Sequence, residues 1–93
     1  MNTASDPIVL DVRTPAEYAE GHLEGARLLD LLGGDFVAEI PNLDPTAEYL
    51  LHCRSGGRSA QAAALLTQVG FTSVENLGSL EDAARATGLP IVR

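Results

Sequence analysis

Residues 48–59 read Glu48-Tyr49-Leu50-Leu51-His52-Cys53-Arg54-Ser55-Gly56-Gly57-Arg58-Ser59, and an alanine- and leucine-rich stretch follows from Ala60 to Gly70. Glu48 to His52 is a short apolar run of strand length. Cys53 to Gly57 is a glycine-containing loop. From Arg58 or Ser59 the residues Ala60, Ala62, Ala63, Leu65 and Leu66 recur at helical spacing as far as Val69, and Gly70 suits the position after a helix end. Ser73 to Leu77 is a second strand-like run. A strand, a helix and a strand in this order form a crossover unit, which predicts a parallel sheet covered by helices on both faces.

The flanking chain extends the same alternation. Ile8-Val9-Leu10-Asp11-Val12 is rich in β-branched residues and reads as a buried strand. Thr14 is placed to cap a helix, with Pro15 at its first position and Glu17 closing a capping box; this helix ends by Gly21. Ala26 to Leu29 is a weaker strand. Asp35 to Ile40 forms a short helical turn, and Pro41 to Pro45 a loop. Ser79 caps a last helix from Leu80 to Thr87, stopped by Gly88 with Pro90 beyond. The expected fold is a three-layer α/β/α arrangement around a mainly parallel sheet of four to five short strands, with residues 1–93 as a single domain.

Composition narrows the function. Thirteen acidic residues face six arginines and no lysine, for a formal net charge of −7. Without clustered basic residues, nucleic acid and anionic membrane surfaces are poor partners. The one cysteine cannot form an internal disulfide or a structural zinc site. No apolar run approaches the length of a membrane span, and MNTASDP at the N-terminus is not a secretory leader. A cytoplasmic protein with a reduced thiol is expected.

Cys53 stands at the carboxyl end of a strand, where open α/β sheets bind ligands. The thiolate is the nucleophilic form of cysteine. The N-terminus of the following helix favours negative charge, and the inward amides of a glycine loop form an anion-binding nest. Arg54 and Arg58 add positive charge on either side. The competing reading, an inert cysteine that merely ends a strand, fits poorly with the polar run Arg54 to Ser59. No base stands by: His52 should point to the opposite face of the strand, in the core or in a supporting role, and a structural hydrogen bond suits His22.

At these residues the chain resembles the rhodanese family. Cys53-Arg54-Ser55-Gly56-Gly57-Arg58-Ser59 is similar to its active-site loop and the start of the next helix. Leu10 to Tyr18 resembles a first signature, and Gly21-His22-Leu23-Glu24-Gly25-Ala26 a second. Leu65 to Phe71 and Gly88 to Val92 fit later segments, so the resemblance spans residues 8–92. It departs at Gly78-Ser79-Leu80-Glu81-Asp82-Ala83, where the family often has a tryptophan, and in having no proline soon after Gly25-Ala26.

The resemblance implies a sulfurtransferase. Cys53 would take a sulfane sulfur from thiosulfate or a polysulfide as a persulfide and pass it to cyanide, a thiol or a protein acceptor. Arg54, Ser55, Gly56, Gly57 and Arg58 would bind the donor and cradle the sulfur. Asp11, Arg13 and Ser59 would support the site. No metal or organic cofactor is implied. Two alternatives differ in kind. A Cys-based phosphatase or arsenate reductase has five residues between its cysteine and arginine, whereas four separate Cys53 from Arg58. A non-catalytic, partner-binding module commonly loses the cysteine that this chain keeps.

Overall fold

A computed structural model describes residues 6–93; the N-terminal reading of MNTASDP falls, for residues 1–5, outside them. Strand β1 (Ile8–Asp11), helix α1 (Pro15–Glu20), strands β2 (His22–Leu23) and β3 (Arg27–Leu28) and helix α2 (Asp35–Glu39) form the first half. A 3₁₀ turn over Ile40–Asn42 leads to strand β4 (Tyr49–His52), helix α3 (Gly57–Gln68), strand β5 (Val74–Gly78), helix α4 (Leu80–Thr87) and strand β6 (Ile91–Val92). The main sheet has four strands in the order β3-β1-β4-β5, all parallel.

Alternation along the strands sorts the core onto two faces. Leu10, Tyr49 and Leu51 pack with Phe36 of α2 and Ala62 and Leu66 of α3. Val9 and Leu50 turn the other way, toward Leu23, Ala26, Leu77 and the α4 residues Leu80 and Ala83. Both faces are thus covered, as the apolar strand sequences require. Ala83 is fully buried in this second cluster. Where the family often places a tryptophan, leucines from β2, β5 and α4 close around a methyl group instead.

Capping boxes fix the starts of two helices. At α1 the Thr14 hydroxyl accepts from the Glu17 N–H and the Glu17 carboxylate accepts from the Thr14 N–H, a reciprocal cap that stabilises a helix by about 1 kcal/mol. Ser79 and Asp82 repeat the pattern at α4. α3 has no side-chain cap; its N-cap is Gly56, and its free amides face the site instead.

Boundaries move by a residue from those read in the sequence: β1 ends at Asp11, β4 begins at Tyr49, α3 begins at Gly57, and β5 runs Val74–Gly78. The expected strand over Ala26 to Leu29 is only Arg27–Leu28. A two-stranded antiparallel ribbon, β2 with β6, pairs His22 with Val92 and Leu23 with Ile91; its two-residue strands carry no periodicity. Among the described residues no helix is long and apolar enough to cross a membrane.

Candidate active site

Cys53 leaves β4 with its N–H donating to the Gly78 carbonyl at 3.0 Å. The loop then turns back over the sulfur, and the Gly56 N–H donates to Cys53 Sγ at 3.0 Å. Gly56 achieves this with φ near 100°. A Cβ there would lie 3.3 Å from Gly78 Cα, so the turn requires glycine both for its dihedral and for the close approach to β5. Gly57 has no positive φ, and a Cβ on it would meet nothing within 4 Å.

From the first turn of α3, the Ser59 hydroxyl lies 3.4 Å from Cys53 Sγ and 2.6 Å from Asn76 Oδ1 on β5. Asn76 spans the two walls of the site: its Nδ2 donates to the Gly56 carbonyl at 3.1 Å, and its Oδ1 accepts from the Gly78 N–H at 3.0 Å. The sequence reading missed Asn76. A polar amide inside a strand run of Val74-Glu75-Asn76-Leu77 is the one signal that marked it.

Cys53 is buried, with 1% exposure, in the apolar cluster on the α3 face of the sheet, while its sulfur meets the Gly56 N–H and the Ser59 hydroxyl. Burial pushes its thiol pKa up. Hydrogen bonds from the Ser59 hydroxyl and from the N–H groups of Ser59, Ser55 and Gly56 outweigh burial and bring it down to about 7. Dipoles aimed at the sulfur therefore do most of what the sequence reading shared between amides and arginines.

The two arginines differ. Arg58 forms a two-pronged ion pair with Glu17 of α1, at 2.8 and 3.0 Å. Arg58 and the Thr14 N–H together hold the Glu17 carboxylate down, to about 2. Arg54 is exposed and makes no hydrogen bond or ion pair among the described residues. It borders an open cleft of about 420 Å³ that Arg13, Glu17, Gly21, Leu80 and Glu81 help to line.

Asp11 and Arg13 form a buried pair beside the loop. The Arg13 Nε and Nη2 donate to the Asp11 carboxylate at 2.9 and 2.7 Å, and Nη2 also reaches the Gly21 carbonyl. His52, across from Asp11 in the β1–β4 register, is fully buried. Its Nδ1 lies 3.4 Å from the Cys53 carbonyl and its Nε2 is 3.7 Å from Asp11 Oδ2. Burial lowers the His52 pKa, which keeps the imidazole neutral near pH 7. His22 stacks on Tyr18, with Nδ1 2.9 Å from the Tyr18 carbonyl. Neither histidine touches the sulfur.

Known proteins place this architecture. The family model described as Rhodanese-like domain matches residues 1–85. A sulfurtransferase of Allochromatium vinosum is 41% identical over 88 residues, covering 94% of this chain and 79% of that protein. Thiosulfate sulfurtransferase PspE of Escherichia coli is 34% identical over 77 residues, covering 81% and 72%. Among solved structures, a rhodanese with anions from Escherichia coli superposes with a TM-score of 0.75 at 30% identity, covering 95% of this chain and 99% of that one. A Rhodanese_3 like domain from Anabaena gives 0.79 at 25% identity, covering 95% and 100%. A cysteine at the end of a central parallel strand, roofed by the amides that open the next helix, thus sits in a chain that belongs to the rhodanese-like domain family.

Proposed function

We propose that the protein is a sulfurtransferase in which Cys53 carries the sulfur as a persulfide. The observation that supports this most is the Gly56 N–H aimed at Cys53 Sγ from 3.0 Å, with the Ser59 hydroxyl beside it. A thiol of pKa about 7 is substantially ionised at neutral pH without a general base. The thiolate attacks the outer sulfur of thiosulfate. The sulfur–sulfur bond of the donor breaks, and sulfite leaves with the electron pair. An acceptor thiolate or cyanide then attacks the outer sulfur of the persulfide and returns Cys53 to its thiolate.

Arg54, free of partners among the described residues, meets the anionic donor first. Arg58 contributes what charge Glu17 leaves it and holds the start of α3 in place. The loop amides of Ser55, Gly56 and Gly57 receive the negative sulfur. Asp11, Arg13 and Ser59 brace the frame. With Cys53 only 1% exposed, residues 54–56 must yield to admit a donor. A cytoplasm keeps such a thiol reduced, and we place the protein there.

Intact mass after incubation with thiosulfate or polysulfide tests the reading. The wild type should gain one sulfur and lose it on addition of cyanide. Cys53→Ser, whose hydroxyl is not deprotonated near neutral pH, should gain none and keep its fold. An unchanged wild-type mass with both donors, or Cys53-dependent hydrolysis of an aryl phosphate, would overturn it.

A further inference from the structure

The Ser59 hydroxyl has one hydrogen and two neighbours that can take it: Asn76 Oδ1 at 2.6 Å and Cys53 Sγ at 3.4 Å. The partners of Asn76 fix which way its amide faces. One end meets the Gly56 carbonyl and must be the NH₂; the other meets the Gly78 N–H and must be the oxygen. Asn76 Oδ1 can only accept, so the 2.6 Å contact is a bond donated by Ser59. The serine oxygen is then left as an acceptor toward the sulfur, which suits an S–H and not an S⁻.

We propose that Asn76 is a positioning residue for Cys53: it holds the Ser59 hydroxyl hydrogen while the sulfur is a thiol or a persulfide, and gives it up to the sulfur when Cys53 is a thiolate. The change needs only rotation of one hydroxyl. Asn76 Oδ1 keeps the Gly78 N–H throughout, so no polar atom is stranded when the hydrogen leaves. The proposal rests on the sulfur-transfer reading for its place in the cycle. When an acceptor thiolate attacks the outer sulfur, the sulfur–sulfur bond breaks and its electron pair returns to Cys53 Sγ. The hydroxyl then turns from Asn76 to meet the charge as it forms.

A residue that merely braced the loop would affect acidity in the opposite sense. Losing a brace displaces the amides from the sulfur and raises the thiol pKa. Losing a competitor frees the Ser59 hydrogen and lowers it. The other charged or titratable groups around the site are Arg54 and Arg58, Glu17 and Glu20 of α1, Asp11 of β1 and Arg13 after it, His52 of β4, Glu81 and Asp82 of α4, and Arg93. All stay unchanged in the variants below.

The test is the rate of Cys53 alkylation by iodoacetamide against pH, on the full chain and without a sulfur donor. The wild-type midpoint is expected at about 7. Asn76→Leu keeps the branched shape but accepts nothing, and should move the midpoint down by about half a unit to one unit, the worth of one hydrogen bond. Asn76→Asp should move it up. Ser59→Ala should also move it up, and on that background Asn76→Leu should no longer lower it. A midpoint that rises in Asn76→Leu, or an equal shift with and without Ser59, would overturn the proposal. Should Asn76→Leu fail to give the wild-type circular dichroism spectrum, an unchanged midpoint in Ser59→Ala would overturn it alone. The sulfurtransferase reading fails separately, by a wild type that gains no sulfur in mass.

Discussion

Gly56 and Gly57 are neighbours of the same residue type with opposite demands. Gly56 sits at φ near 100°, with the Gly78 backbone 3.3 Å from where its Cβ would be. An alanine there meets a backbone atom that cannot rotate away, so the strain is about 1–3 kcal/mol and moves the amide off the sulfur. Gly57 opens α3 in ordinary backbone with free space around it, and an alanine there narrows the unfolded ensemble, for a gain of up to about 1 kcal/mol. Persulfide formation should therefore fall at least tenfold in Gly56→Ala and stay within about twofold of the wild type in Gly57→Ala, whose melting temperature should not drop. Comparable losses in both variants would show that the loop needs two flexible positions rather than one. The loop around Cys53 was legible in the sequence because a cysteine, two glycines and a following helix lie within a few residues. The bond from Ser59 to Asn76 was not, because it joins positions 17 residues apart and appears only once β5 lies beside β4.

Between elements, Glu17 is the connection that matters most for the site. One carboxylate closes the capping box of α1 and also pairs with Arg58 in the first turn of α3. Glu17→Gln separates these roles, because glutamine still serves in a capping box but carries no charge. The folded pKa of Glu17 lies near 2, below its ordinary value. Its contribution is therefore complete above about pH 4.5 and lost as pH falls toward 2. Partial exposure screens the pair. Urea unfolding should thus show Glu17→Gln less stable than the wild type by about 1–2 kcal/mol at pH 7, with a smaller gap at pH 3. A gap that stays constant between the two pH values would mean that packing, not charge, is what Glu17 supplies. Its capping role could be read from Thr14-Pro15-Ala16-Glu17, because a cap is local. The pairing with Arg58, 41 residues away, could not. The same physics separates α3 and α4, whose helical spacing and end signals lie in one stretch of chain, from β2 and β6, which exist only through pairing across most of the sequence.

For the whole molecule the question is how a chain of net charge −7 admits an anionic donor. Most of the positive charge is already committed. Arg13 is held by Asp11, Arg58 by Glu17, Arg27 by Glu39 and Arg85 by Asp82. Among the described residues Arg54 and Arg93, which both line the cleft, make no ion pair; Arg54 is the one in the loop over Cys53, and it must work against the field of the rest. The Debye length falls from about 30 Å at 0.01 M salt to about 8 Å at 0.15 M. Salt therefore removes the distant repulsion while also weakening the attraction close to the loop. The two changes oppose each other, and the second-order rate with thiosulfate should vary by no more than about twofold across that range. In Arg54→Glu the local charge joins the global one. The rate should then be at least tenfold lower at low salt and recover as salt is added, while Arg85→Ala, on the exposed face of α4, should follow the wild type throughout. A wild-type rate that collapses with salt would mean that the donor is drawn in by a field the net charge does not describe. A rate in Arg54→Glu equal to that of the wild type would move the point of entry away from the cleft beside the loop.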